Sequence, residues 1–238
     1  MHESINSKIN LLNYNQIVFF TGAGMSAECG VPTYRGSGGL WHEYKWEDYA
    51  CQSAFINDPE GVLDFHELRR LEALKCIPHS GHEIITQIQD KKQNTVIITQ
   101  NIDGMHQRAG TDHVVELHGS LWRLRCETEG KVFEDLNNGK YHTRKCKCSA
   151  WLRPDIIWFQ DMLSENTVRK ATRIISSSDL FISIGTSAVV WPAAGYPKLA
   201  KERGAFCIEI NPEETELSPI YDRCIRSTAS HALNHLFQ

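Results

Sequence analysis

Four short stretches of this chain concentrate residue types that handle phosphates, amides and protons. Gly22-Ala-Gly-Met-Ser-Ala27 satisfies the loose pattern G-x-G-x-x-G/A directly after the apolar run Ile17-Val-Phe-Phe20. Glycines let backbone come close to a pyrophosphate, and the free N–H groups of a first helical turn attract its charge. Thr99-Gln-Asn-Ile-Asp103 supplies Gln100, Asn101 and Asp103. Amide side chains both donate and accept, as recognition of a carboxamide or a hydroxyl requires; an Asx turn capping the next helix would use the same residues. Glu116-Leu-His-Gly119 carries His118, whose side chain titrates nearest neutral pH and so suits proton transfer. By local sequence alone it also reads as a partly exposed histidine beside a turn. Gly185-Thr-Ser187 and Asn211 each follow an apolar run, where ordinary strand-to-loop chemistry is the alternative. A dehydrogenase would need a ribose-binding acid about 20 residues beyond the glycines, at the end of a second strand, and none stands there.

The elements that must position these residues alternate. Short β-type runs at 17–20, 96–99, 180–184 and 206–210 are separated by segments with helical spacing at 82–88, 168–175 and 196–203. Near-continuous apolar strands alternating with helices predict an α/β fold, a Rossmann-like parallel sheet covered on both faces. Each chemical motif then falls at a strand's carboxyl end, where open α/β sheets bind ligands. Two stretches break the alternation and predict a smaller inserted helical and zinc-ribbon-like module, at about 36–80 and 119–153. The core takes about 1–35, 81–118 and 154–238, the whole being one catalytic domain over 1–238. Asp58-Pro59 predicts a helix start, and Val62, Phe65, Leu68 and Leu71 an apolar stripe along that helix.

The 238 residues are 41% hydrophobic and 23% charged, ordinary for a globular enzyme, with a formal net charge of -4. No global basic field favours nucleic acid or an anionic membrane. No apolar run approaches the roughly 18 residues of a membrane span, and the polar N-terminus lacks a signal layout. Eight scattered cysteines suggest reduced thiols or metal ligation, hence a cytoplasmic protein. Cys29, Cys51, Cys76, Cys207 and Cys224 are expected as small apolar residues, buried or half-buried. No run suggests a dedicated dimer helix, so a monomer is expected.

In this order, and with the first motif continuing through Gly30-Val-Pro-Thr-Tyr-Arg35, the four motifs resemble the sirtuins, NAD-dependent protein-lysine deacylases. The resemblance covers nearly the whole chain from about Ile17. It implies an acyl-lysine protein or peptide substrate, with NAD consumed as co-substrate. Nicotinamide leaves the ribose as the acyl oxygen attacks, His118 deprotonates a ribose hydroxyl, and O-acyl-ADP-ribose and free lysine result. Catalytic positions would be His118, Asn101 and Asp103. NAD would meet Gly22, Ala23, Gly24, Ser26, Thr33, Arg35 and Trp41 on the first loop, then Gln100, Asn101, Ile102 and Asp103. The adenosine half would meet Gly185, Thr186, Ser187, Asn211, Pro212, Glu213 and Ala229.

The chain departs from the pattern in three places. Val31-Pro-Thr-Tyr-Arg35, followed by Gly36-Ser-Gly-Gly-Leu-Trp41, looks like the desuccinylase-type branch, class III. That branch reads a distal acyl carboxylate with a Tyr-x-x-Arg pair and widens the pocket with a small residue, here Ala50. Here the pair is His66 and Arg69, which lie three apart on one helical face. Arginine offers a bidentate fork and a neutral histidine one donor. The expectation is acidic-acyl preference that strengthens below about pH 6.5, where histidine charges; the alternative is a solvated polar face beside Arg70. The family's structural zinc, usually held by two Cys-x-x-Cys pairs, finds Cys126-Glu-Thr-Glu129 and Cys146-Lys-Cys148. Cys126, Cys146 and Cys148 are then zinc candidates, with His142 or Glu129 as a fourth ligand, or else the module is metal-free. The strand that pairs with substrate peptide appears as Ile156-Ile-Trp-Phe-Gln-Asp161, placing Ile157 and Phe159 against the peptide and Gln160 where a glycine is usual. The same nucleotide pocket could also serve ADP-ribosyl transfer or NAD hydrolysis, or a nonenzymatic binder.

Overall fold

The runs rich in valine, isoleucine and phenylalanine fold as buried strands, because branched and aromatic side chains fit a pleated surface covered on both faces. The computed structural model describes residues 8–33, 39–136, 138–187 and 189–237. Its strands in chain order are β1 (Ile17–Thr21), β2 (Thr95–Thr99), β3 (Val114–Glu116), β4 (Gly119–Cys126), β5 (Val132–Glu134), β6 (Leu152–Ile156), β7 (Leu180–Ile184), β8 (Phe206–Ile210) and β9 (Arg223–Ile225). Six of them form one sheet in the order β3-β2-β1-β7-β8-β9, every pair parallel. The Rossmann-like expectation holds. The order changes direction at β1, which opens a crevice at its carboxyl end.

The helices are α1 (Ala23–Ala27), α2 (Leu40–Glu43), α3 (Trp46–Tyr49), α4 (Gln52–Asn57), α5 (Pro59–Lys75), α6 (Ser80–Lys91), α7 (Met105–Arg108), α8 (Glu165–Ser176), α9 (Tyr196–Glu202) and α10 (Ala229–Phe237). Successive β1 side chains face opposite sides. Ile17 and Phe19 join Ile84, Ile85 and Ile88 of α6 and Leu233 and Leu236 of α10 in one core layer. Val18 and Phe20 join Ala171 and Ile175 of α8 and Ala200 of α9 in the other. Each fully buried Ile, Leu or Phe contributes roughly 1.5–3 kcal/mol of transfer free energy.

The inserted module has its own core, where α4 and α5 pack Phe55, Val62 and Leu63 against Leu124 and Leu152 of a small antiparallel sheet ordered β5-β4-β6, and against Trp158 just beyond it. Asp58 caps α5 as expected, accepting from the Gly61 N–H at 2.9 Å, with Pro59 in the first turn. The apolar stripe is different. Val62 and Phe65 are buried, but Leu68 and Leu71 are exposed, and His66, Glu67, Arg69 and Arg70 are buried in their place. A spacing of three drifts round a helix of 3.6 residues per turn, so the stripe walks off the packed face. Arg70 is no solvated neighbour. It lies fully buried between Trp122 and Tyr141, 5.0 and 4.5 Å from their rings, and pairs with Asp135 at 2.8 Å. Strand β6 stops at Ile156, and the following residues turn rather than extend it.

Candidate active site

A cavity of about 750 Å³ opens between the carboxyl ends of the central strands and the inserted module. Its size suits a large ligand. Gly22, Ala23, Gly24, Thr33 and Trp41 line it from the first motif. Here β1 empties into α1, and Gly24 comes so close to Gly185 that a Cβ would stand 2.6 Å from the Gly185 Cα. Gly185 itself has φ +60°, a conformation that glycine adopts without strain. Arg35 lies outside the described residues. Gly185, Thr186, Ser187, Asn211, Pro212, Glu213 and Ala229 line the cavity from β7, β8 and the start of α10.

Gln100, Asn101 and Ile102 line the centre. Both amide hydrogens of Asn101 are engaged, donated to the Gly22 carbonyl at 2.9 Å and to Ser26 Oγ at 3.2 Å. Its carbonyl oxygen is therefore what it can offer a ligand. Ser26 is buried behind the cavity wall and acts through this bond. Asp103 faces a small adjoining hollow with Asn101 and Arg69. Burial pushes the Asp103 carboxyl above its usual range, against the pull of the Met105 N–H bonded to Oδ1 at 2.9 Å.

His118 lines the cavity where β3 gives way to β4. Its Nδ1 lies 2.9 Å from the Gln100 carbonyl, which only accepts, so Nδ1 carries the proton. The other nitrogen, Nε2, is left with a lone pair, the form a general base needs. Burial holds the ring's pKa below the usual histidine value, although the Gln100 carbonyl opposes this. Gln100 also donates Nε2–H to Thr186 Oγ1 at 2.9 Å, tying the base to the loop after β7.

At the module's side Ala50, His66 and Arg69 line the same cavity, together with Ile157 and Phe159. His66 departs from the expectation. Its Nδ1 lies 2.8 Å from the Val62 carbonyl, so the donor a neutral imidazole offers is already used. Burial, with Arg153 and Arg69 nearby, depresses its pKa to about 4. It therefore does not charge near pH 6.5, and the expected strengthening of anion binding there is withdrawn. Gln160 takes φ +73°, the left-handed region that the usual glycine reaches freely. Asp161 closes the turn, accepting from Arg153 at 2.8 Å and from the Trp158 N–H at 3.1 Å.

The thiols of Cys126, Cys146 and Cys148 converge with all three sulfurs within 4.8 Å, and Cys126 and Cys148 Sγ are 3.5 Å apart. All eight cysteines are free thiols. Three soft donors at one point, with the Glu129 N–H bonded to Cys126 Sγ at 3.4 Å, fit a zinc site. His142 does not join that cluster of donors; its Nδ1 sits 3.1 Å from Asp135 Oδ1. Glu129 pairs with Lys131 at 2.7 Å. A second group, Cys29, His79 and His82, also lies within 4.8 Å. There, however, His79 bonds the Met25 carbonyl with one nitrogen and accepts the Gly81 N–H with the other, capping α6. Cys51, Cys76 and Cys207 are buried and Cys29 and Cys224 half-buried, as expected of apolar fillers.

Sequence reasoning missed the supports of this cavity. Glu28, at the end of α1, accepts from Ser230 N–H (2.9 Å) and from its hydroxyl, fastening the first loop to α10. Arg226 pairs with Glu209 at 2.6 Å and donates to the Asn211 and Glu213 carbonyls, holding the loop after β8. A lone arginine or glutamate gives no local signal, because its partner lies across the fold. Ser227, Thr228 and Trp191, which also line the cavity, belong to no short motif.

The glycine-lined end, the paired amides and the lone-pair histidine define a nucleotide-binding enzyme of the open α/β class. The Sir2 family model matches residues 22–192, and the chain belongs to that family. It is 41% identical to an NAD-dependent protein deacylase of Aquifex aeolicus, with 93% of each chain covered. It is 43% identical to NAD-dependent protein deacylase 2 of Pyrobaculum aerophilum, covering 96% of this chain and 92% of that one. The crystal structure of a Sir2 homologue–NAD complex superposes with a TM-score of 0.88 at 38% identity, covering 99% of this chain and 95% of that chain.

Proposed function

We propose that this chain is an NAD-dependent protein deacylase that removes acyl groups from lysine and transfers them to ADP-ribose. The observation that carries the reading is His118, a half-buried base with its lone pair presented inside the cavity that the nucleotide motifs line. NAD supplies the leaving nicotinamide and the ribose that takes the acyl group. The chain's own residues bind, orient and move a proton. The Gly22–Gly24 loop and Gly185 admit the pyrophosphate closely, and Asn211 and Ala229 take the adenosine half. Asn101 presents its carbonyl oxygen to the carboxamide N–H, with Asp103 behind it. His118 Nε2 accepts a ribose hydroxyl proton while Nδ1 stays bonded to the Gln100 carbonyl, which stabilises the charged ring. Ala50 and the aromatic rings of Trp41, Phe65 and Phe159, stacked or edge-on at 5.7–6.3 Å, wall off the acyl end. Cys126, Cys146 and Cys148 would hold a structural zinc that ties the small sheet to the loop carrying Cys146 and Cys148. The domain is read as single over the whole chain. Among the described residues no helix is long and apolar enough to cross a membrane.

One peptide carried as acetyl-lysine, incubated with NAD and followed by mass spectrometry, tests this. Nicotinamide and O-acetyl-ADP-ribose should appear together, and in His118→Ala the O-acetyl-ADP-ribose should be lost, because the base acts after nicotinamide has left. Nicotinamide without acyl-ADP-ribose in the unaltered protein would overturn the reading in favour of NAD hydrolysis or ADP-ribosyl transfer.

A further inference from the structure

The wall of the acyl pocket has a polarity that a donor-based carboxylate reader lacks. His66 is 3% exposed on α5, and its ring lines the cavity beside Ala50 and Arg69. The Val62 carbonyl, 2.8 Å from Nδ1, fixes the tautomer, since a carbonyl oxygen cannot donate. Nε2 is therefore an acceptor, and no described residue donates to it. The ring is held in place by Phe65, edge-on at 5.3 Å, and by Trp158 at 6.0 Å. The charged groups that face it are Arg153 and Arg69, both of which disfavour a protonated ring.

A carboxylate placed against this nitrogen meets a lone pair with a lone pair, which costs desolvation without a hydrogen bond in return. Arg69 pulls the other way. A hydroxyl has what His66 lacks: it can donate its hydrogen to Nε2. Where the distal carboxylate of a malonyl group would stand, the matching hydroxyl belongs on C3 of the acyl chain. Resting on the deacylase reading, we propose that the pocket selects 3-hydroxyacyl-lysine over acidic acyl-lysine, the hydroxyl donating its hydrogen to His66 Nε2. Selectivity is then a property of the tautomer that Val62 imposes.

The test compares one peptide carrying acetyl-, butyryl-, 3-hydroxybutyryl- and succinyl-lysine. Butyryl and 3-hydroxybutyryl share a carbon skeleton, so their ratio isolates the hydroxyl. One buried neutral hydrogen bond corresponds to a ratio of kcat/KM of about five in favour of 3-hydroxybutyryl, with succinyl-lysine slower than butyryl-lysine. The 3-hydroxybutyryl-to-butyryl ratio should fall to about one in His66→Phe, whereas His66→Tyr, which restores a phenol donor, should raise the succinyl-to-butyryl ratio. A wild-type ratio of one or less, succinyl faster than butyryl, or a ratio unchanged in His66→Phe each overturns the proposal. Long-range proton–nitrogen NMR of the unaltered protein reads the His66 tautomer directly, and a hydrogen on Nε2 also sinks it. If no peptide, acetyl included, gives acyl-ADP-ribose, the deacylase reading fails instead. Calorimetric titration of the four peptides then measures the same ratio as binding.

Discussion

His118 and His66 are held alike and serve opposite ends of one cavity. Each donates Nδ1–H to a backbone carbonyl, Gln100 for one and Val62 for the other, and each is kept neutral by burial. His118 stands just past the end of β3, beside a strand end where Gln100 bonds Thr186 and Asn101 bonds Ser26. His66 stands on α5 in the inserted module, flanked by the rings of Phe65 and Trp158, with Arg153 and Arg69 as its charged neighbours. The same tautomer yields a base where a ribose hydroxyl is delivered to it and a selector where an acyl tail is. What differs is the neighbourhood, not the residue.

The sharpest way to break the comparison is to remove the base alone. His118→Ala should lower kcat for acyl-ADP-ribose formation by roughly a hundredfold to ten-thousandfold, the usual range for general-base loss. A loss under tenfold would mean the sheet-side histidine is not the base.

The module side is probed by its metal. Cys146→Ser should abolish stoichiometric zinc in protein purified without chelator, and lower Tm by several degrees. If metal analysis finds no zinc in the unaltered protein, the three thiols are held by packing alone.

Acid should weaken both regions together. His66, His82 and His106 have folded-state pKa values depressed to about 4, 2 and 3 by burial, against about 6.5 in an unfolded chain. On acidification the unfolded state takes up protons first. Their stabilisation is thus complete above pH 6.5 and declines below it, by on the order of 1 kcal/mol per pH unit for each ring. Tm measured from pH 7.5 to 5 should fall steeply below 6.5. A flat profile would show that the rings are less shielded than their burial implies.

The smallest effect concerns the turn beside the acyl pocket. Gln160→Gly should stabilise the protein by about 1 kcal/mol, because it relieves a positive φ at a non-glycine residue. Chemical denaturation reads it; a loss of stability would show that the glutamine side chain compensates for its backbone.

Much of the sheet-side site was legible in the sequence because its signals are local. A run such as Val-Ile-Ile-Thr ends in Gln100, Asn101 and Asp103 within a few residues, and a strand end is where ligands bind. The module was legible only in part. Arg70 and Asp135 are far apart in the chain and both charged, so neither announces a buried pair enclosed by two aromatic rings. The same holds for Arg226 and Glu209 beneath the loop after β8. Leu68 and Leu71 misled for the converse reason, being apolar at a spacing that only approximates a helical turn. The character of His66 was hidden because a tautomer is set by a carbonyl one turn away, not by the residue's own name.

The joint between the two regions has a mechanical consequence. The chain leaves the sheet at His118 and enters the module through Gly119, whose φ is +77° and whose Cβ position lies 2.0 Å from the Asp155 carbonyl oxygen. It comes back through Ile157, whose N–H is bonded to the His118 carbonyl at 2.9 Å. Outgoing and returning strands therefore run side by side at the base itself, Gly119 paired antiparallel with Ile156. A slip of β4 against β6 at that pairing would drag the His118 backbone with it, so the base and the small sheet are anchored to each other.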